Sequence, residues 1–281
     1  MLIDYADKAV LVTGGTKGIG LASALAFARR GAHVTITHRW GSADEEKLVE
    51  CFRAAGAVPP SIVEADAANA DETRAVLKGI ADRHGAPTAI VSNVAVASVV
   101  ATLQDYVQRN LHRSIDYGAW PLVSHTLLAH EVCGRWPRYV VGVSAAGHEA
   151  MHVNYDFAAA SKAVLETLVR YLSHRLMKEG VRVNAVRTRF VSTDSLRSIF
   201  GEDFEPFVKR YAPDLFVSAE QVGEAIFGMC CGLMDGASGQ VVCVDGGAAF
   251  ADGFSRFYDD FRRGFFGTEQ RAHSRREPDE S

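Results

Sequence analysis

The chain has 281 residues, with 30 Lys and Arg against 34 Asp and Glu for a formal charge of −4. Its 48% hydrophobic and 23% charged residues suit one α/β domain with a full core. They argue against nucleic acid or an anionic membrane as partner. No basic segment followed by an apolar run opens the chain, no stretch is long and apolar enough to span a bilayer, and the five cysteines lack zinc-ligand spacing. The expectation is a cytoplasmic protein without a metal, whose Cys230 and Cys231 are small apolar residues on a buried helix.

Residues 9–12 (AVLV) form an apolar run without alternation, the pattern of a strand buried on both faces. It leads into the loop TGGTKGIG at residues 13–20, then an apolar-periodic helix with Leu21, Leu25 and Phe27, a stop at Gly31, and a second strand at 33–37. Strand, glycine loop, helix, strand is a right-handed βαβ unit. Its glycines let the backbone turn tightly against a pyrophosphate, and the helix amino terminus offers free N–H groups to the phosphates. An acidic residue after the second strand would repel a ribose 2′-phosphate. Here the strand ends in His38 and Arg39, and Lys17 adds a cation from the loop, which favours NADPH.

A surface helix is predicted over 44–56, a third strand over 61–65 ending at Asp66, and a helix from about Ala70. Asp66 either accepts from the adenine amino group or caps that helix. A fourth strand covers 88–92 and is followed by Asn93, Val94 and Ala95. Helical pattern over 102–132 is interrupted at Gly118, and a fifth strand over 139–143 ends at Ser144 and Ala145. A long helix enters through Asn154 and Tyr155, passes Lys162 and is capped at Gly180, with a sixth strand over 181–186. Residues 194–217, rich in Phe and Tyr amid charges, read as a lid over an apolar substrate or as a small helical outgrowth packing its own aromatics. Ser218 and Gln221 make a capping box, and a last strand begins at Gly239. Phe250, Phe254, Phe257, Phe261 and Phe265 recur at helical spacing, so one aromatic face is expected to be buried, at the site mouth or a subunit interface. Residues 268–281 read as a disordered tail. Strands alternating with helices predict a single doubly wound, Rossmann-type parallel sheet of about seven strands. The reductase domain spans 1–249, its lid 194–217, and an aromatic extension 250–267.

The glycine loop, Asp66, the Asn93 turn, the Tyr155/Lys162 helix, residues 183–186 (VNAV) and Asp245-Gly246-Gly247 together resemble the short-chain dehydrogenase/reductase family over roughly residues 8–249. The resemblance implies a cofactor site of Gly14, Thr16, Lys17, Gly18, Ile19, Gly20, His38, Arg39, Asp66, Ala67, Asn93, Ala95, Lys162, Val191 and Thr193. It also implies pairing of the long helices across a homodimer or homotetramer. Three positions depart from the family pattern. The usual catalytic tyrosine stands four residues before the lysine, where this chain has Ala158; the usual serine is Ala145, and the usual helix asparagine aligns with Gly118. Ser144 is one residue off, and a one-residue step on a strand turns a side chain to the opposite face, so it is the weakest of the catalytic candidates Tyr155, Lys162 and Ser144. Arg187 and Arg189 contact phosphates or are surface cations.

Tyr155 and Lys162 are seven residues apart, a spacing similar to that of the family's enoyl-thioester reductases, the alkenyl-CoA reductases in particular. In conjugate reduction the hydride lands on the β-carbon and charge collects on an oxygen two carbons away, so the acid must stand farther from the hydride donor. Tyr155 lies on the Lys162 face, displaced by roughly 4–5 Å beyond Ala158 if helical geometry persists. The expected activity is NADPH-dependent reduction of an α,β-unsaturated acyl thioester of coenzyme A or a carrier protein in fatty-acid-like or secondary metabolism. The alternatives are a carbonyl or imine reductase for a bulky natural product, and a cofactor-binding protein without redox activity.

Overall fold

Along the first strand Val10 and Val12 enter one hydrophobic cluster while Ala9 and Leu11 enter another, and all four are buried. Such a strand requires helices on both faces of its sheet. The computed structural model, which describes residues 4–262 apart from 40, 42, 97 and 251, has that layering. Its strands in chain order are β1 (Ala9–Thr13), β2 (His33–His38), β3 (Ser61–Glu64), β4 (Ala89–Ser92), β5 (Tyr139–Ala145), β6 (Arg182–Thr188), β7 (Phe190–Val191), β8 (Phe216–Val217) and β9 (Val241–Val244). Seven of them form one sheet in the order β3-β2-β1-β4-β5-β6-β9, every pair parallel. The direction of winding reverses between β1 and β4, which opens a crevice at their carboxyl ends.

The α-helices are α1 (Gly18–Ala28), α2 (Glu45–Ala54), α3 (Ala70–His84), α4 (Gln108–Gly118), α5 (Trp120–Cys133), α6 (Asp156–Arg175), α7 (Asp194–Phe200), α8 (Phe204–Tyr211), α9 (Ala219–Cys230) and α10 (Gly253–Arg262). Phe27, Phe52 and Ile226 seat α1, α2 and α9 on one face of the sheet. Leu77, Leu128 and Leu165 seat α3, α5 and α6 on the other. The break foreseen at Gly118 is real: α4 ends there and α5 starts at Trp120, with Pro121 in its first turn, where a missing N–H does no harm. Ser218 and Gln221 form the capping box of α9.

The structure departs from the sequence reading in two places. Phe190–Val191 and Phe216–Val217 pair as a separate two-stranded parallel sheet, and strands of two residues are too short to show a period. Strand β5 runs two residues further than expected, its Ser144 pairing with Arg187 and Ala145 with Thr188. The chain divides into units of residues 1–246 and 247–281, and the described part of the second is built around α10. There Phe250 is 98% and Phe261 45% exposed in the single chain; helical spacing says which residues share a face, not what covers it. The side chains of Phe254 and Phe257, Phe265 and the tail 268–281 lie outside the described residues.

Candidate active site

At the sheet's switch point the loop between β1 and α1 is shaped by close approach. Gly14 has φ +63. A Cβ on Gly20 would run into the Gly14 carbonyl, so the helix can lie against its own loop only with glycine there. Asn93, just past β4, donates from its amide to the Thr13 and Gly14 carbonyls, both at 3.0 Å. This fixes the loop from the neighbouring strand. No side chain caps α1, whose N-cap is Lys17, and its first turn carries no acid. The first N–H groups of α1 are therefore left for an anion.

A cleft of about 690 Å³ runs along these carboxyl ends. Gly14, Thr16, Lys17, Gly18 and Ile19 line one wall, His38, Arg39 and Ala67 one end, and Asn93 with Ala95 the floor. Val191, Thr193, Tyr155 and Lys162 line it too, with Thr193 against Gly18 of the loop. Gly20 stands behind the loop. Two cations are already engaged: Lys17 with Asp194 at 2.9 Å, and Arg39 with Asp66 at 2.6 Å. Asp66 does not cap α3, because Asn69 does, accepting from the backbone of Asp71 and Glu72. Instead its carboxylate also accepts from the Tyr117 hydroxyl at 3.0 Å.

At the opposite end Tyr155 is the N-cap residue of α6, immediately outside the helix, with φ −105 and ψ 5. Its ring lies against Gly147, where a Cβ would collide with it. It stacks at 6.4 Å on Phe200 and tilts at 5.7 Å from His152. Among the described residues no protein group hydrogen-bonds its hydroxyl, and burial pushes the phenol up to about 12. Lys162 is 5% exposed, and its ammonium donates to the Gly118 carbonyl at 3.3 Å. Burial pulls that ammonium down to about 8, against the opposing influence of the Glu166 charge. Gly118 thus stands beside Lys162, with a backbone carbonyl in place of a side chain.

Ser144 donates its hydroxyl to the buried Glu166 at 2.7 Å, and both it and Ala145 line the cleft. Arg187 is neither a phosphate ligand nor a surface cation. It is 8% exposed and its guanidinium is held by Glu166 and Glu149. Arg189 lines the cleft. In the 194–217 segment Phe200 and Phe204 stack at 4.4 Å and both contact Phe190, so the segment packs its own aromatics. Phe200 also lines the cleft.

Sequence reasoning missed Tyr117, Glu166, His148 and His152. The signal for Glu166 was legible, since four residues after Lys162 is the same helix face. Tyr117 and His152 come together with the site only through tertiary packing.

A family profile described as enoyl-(acyl carrier protein) reductase matches residues 14–249. The chain belongs to the short-chain dehydrogenase/reductase family. Among curated relatives of this chain, the 1-cyclohexenylcarbonyl-CoA reductase of Streptomyces collinus is 28% identical over 244 residues, 84% of this chain and 85% of its own. A tropinone reductase homolog of Arabidopsis thaliana is also 28% identical, over 264 residues, 88% of this chain and 93% of its own. In fold this chain is similar to a 7α-hydroxysteroid dehydrogenase solved with NADH and 7-oxo glycochenodeoxycholic acid, with TM-score 0.76 and 21% identity, covering 88% of this chain and 96% of the other.

The cleft of this oxidoreductase fits a nicotinamide dinucleotide on its own geometry. The glycine cradle at residues 14–20 has no room for a Cβ at Gly20, the helix terminus above it is uncapped, and the buried His38 Nδ1 beside Arg39 has no protein partner.

Proposed function

We propose that this reductase uses NADPH to reduce the carbon–carbon double bond of an α,β-unsaturated acyl thioester of coenzyme A or a carrier protein. The observation that carries the reading is the unpartnered Tyr155 hydroxyl in the cleft. It stands seven residues before Lys162, while Ala158 leaves the nearer helical position without a hydroxyl. The bound cofactor would supply a hydride to the β-carbon. Tyr155, protonated across the neutral range because burial raises its phenol, donates a hydrogen bond to the thioester oxygen as enolate charge develops there. Lys162 holds the nicotinamide ribose and, while cationic, stabilises the same charge. The α-carbon takes its proton from Tyr155 or water. Phe200 and His152, edge to face at 6.0 Å, supply aromatic surface for the acyl group, and burial with the nearby Arg189 charge lowers the His152 imidazole from its usual value.

At the other end Arg39 and Lys17 favour the 2′-phosphate of NADPH, exchanging part of their contact with Asp66 and Asp194 for it. Trp120, Leu127 and Tyr171 are exposed on α5 and α6, which supports a homodimer or homotetramer through these helices. No described helix is long and apolar enough to cross a membrane, and the five cysteines are free thiols, which suits the cytoplasm.

The test is to incubate the protein and its Tyr155→Phe variant with NADPH or NADH and two substrate sets. One contains crotonyl and cyclohexenylcarbonyl thioesters, the other ketones and imines. Saturated thioester made by the wild type with NADPH and lost in Tyr155→Phe is the expected result. Turnover of the second set alone, or NADPH bound and never consumed, would overturn the reading.

A further inference from the structure

Behind the Tyr155–Lys162 pair lies a buried charged cluster that the reaction as written does not use. Glu166 sits one helical turn beyond Lys162 on α6 and is 2% exposed. One of its oxygens accepts from Ser144 at 2.7 Å and from Arg187 Nε at 2.8 Å. The other accepts from Arg187 Nη2 and lies 3.2 Å from His148 Nε2. The remaining ring nitrogen of His148 lies 3.1 Å from the Ala145 carbonyl, and Arg187 Nη1 donates to Glu149. The cluster thus ties α6 and β6 to the turn 145–149 at Ala145, His148 and Glu149. Gly147 of that turn is the surface on which the Tyr155 ring rests.

We infer that Glu166, held by Arg187, is a positioning residue for the reacting pair, fixing the turn beneath Tyr155 and placing a compensating negative charge one helical turn from Lys162. The inference rests on the reading of Tyr155 and Lys162 given above. Burying a carboxylate and a guanidinium together brings little net stability, and well-packed apolar residues would serve as well or better. Stability alone therefore gives no reason for the cluster. What apolar residues could not supply is the charge. Lys162 is buried, with a carbonyl as its hydrogen-bond acceptor. Burial pushes the Glu166 carboxyl up, but the hydrogen bonds from Arg187 and Ser144 and the charges around it reverse this, so it stays ionised. That anion opposes the desolvation of Lys162. The other titratable or charged groups on elements packed around Lys162 are Tyr155 on its own helix, Asp116 and Tyr117 on α4, and Arg187, His148 and Glu149 on the strand-end side. Arg187 is held firmly protonated by its partners. It offsets much of the Glu166 charge, so the two must be varied together.

The experiment follows two quantities from about pH 6 to 10: the dissociation constant of NADPH, read by fluorescence, and kcat against KM for reductive turnover. It compares wild type with Glu166→Gln, Glu166→Asp and the neutral double variant Glu166→Gln/Arg187→Gln. In Glu166→Gln the basic limb of both profiles moves down by roughly 1 pH unit, with kcat lowered far more than KM is raised. In Glu166→Asp, which keeps the charge, the limb stays within a few tenths of wild type. In the double variant, where both charges are gone, it returns most of the way. Glu166→Gln profiles that superimpose on wild type, or an equal loss in all three variants with no shift of the limb, reduce the cluster to scaffold and overturn the inference. If Glu166→Gln does not fold, Arg187→Gln, which leaves the Glu166 charge without its offsetting cation, decides the matter: its basic limb moves up, and a limb that stays at the wild-type position overturns the inference. NADPH binding reads Lys162 without a substrate, so a wrong substrate class leaves this result standing. Full turnover by Tyr155→Phe would instead remove the reading on which it rests.

Discussion

Substituting Gly118 with alanine tests how the site was rebuilt around the missing asparagine. A Cβ at Gly118 would stand 2.7 Å from Ser161 Oγ, 3.3 Å from Ser161 Cβ and 3.9 Å from Lys162 Nζ. The first distance is shorter than any tolerated contact, so the Ser161 hydroxyl must leave the Ala158 carbonyl to which it donates at 2.8 Å, or α4 must shift from α6. Losing that hydrogen bond costs about 0.5–1.5 kcal/mol. With the residual crowding, the total for Gly118→Ala is about 1–3 kcal/mol, a fall in Tm of roughly 2–12 °C for a domain of this size. The steric cause is separable. In a Ser161→Ala background the offending oxygen is gone and the next contact is ordinary to tight, so Gly118→Ala should then cost less by at least about 1 kcal/mol. Thermal and urea unfolding of the four proteins in the cycle measures this. Additive effects, or a Gly118→Ala variant as stable as wild type, would refute the reasoning. If it holds, simple restoration of asparagine at 118 cannot restore a family-typical site, because Ser161 occupies the space.

Lys162→Met should raise stability at neutral pH while abolishing turnover. Because burial lowers the Lys162 ammonium from its ordinary value to about 8, the unfolded chain binds more protons between those values. The wild type is therefore penalised most below pH about 8 and gains stability as pH rises beyond it. Unfolding curves at neutral pH should favour Lys162→Met by about 1–3 kcal/mol, the gap narrowing toward pH about 10; a destabilised variant would contradict the burial argument. By the same sign, wild-type turnover that depends on the ammonium should decline above pH about 8, whereas a profile flat to pH about 10 would detach Lys162 from the chemistry. Tyr155→Phe should fold with wild-type stability, since its hydroxyl has no protein partner, and lose activity by a factor of about 100 or more; steady-state kinetics beside a melting curve separates the two effects. Arg39→Ala should weaken NADPH binding by about tenfold or more with a much smaller change for NADH, measured by fluorescence titration; equal weakening of both would make Arg39 part of the adenine wall.

The order of strands and helices, the glycine loop and the Tyr155–Lys162 helix were legible because each depends on local chemistry. Buried strands advertise themselves as unbroken apolar runs, helices by their period and caps, and a phosphate loop by glycines that nothing else replaces. Tertiary structure decided what depends on distant segments meeting. Arg187 looked like a possible phosphate ligand because its buried partner Glu166 is 21 residues away on another element. Asp66 could have been a cap until Asn69 took that place and Arg39 and Tyr117 closed on its carboxylate. The β7–β8 pair and the exposure of Phe250 and Phe261 were likewise beyond any local pattern. The sequence by itself thus determined the fold and the helix on which the candidate side chains Tyr155 and Lys162 stand, because spacing along one helix and one loop suffices for both. The ionisation of those side chains and the surface that holds them were decided only when β5, β6 and α6 brought Ser144, Arg187 and Glu166 together, since burial and charge proximity exist only in three dimensions.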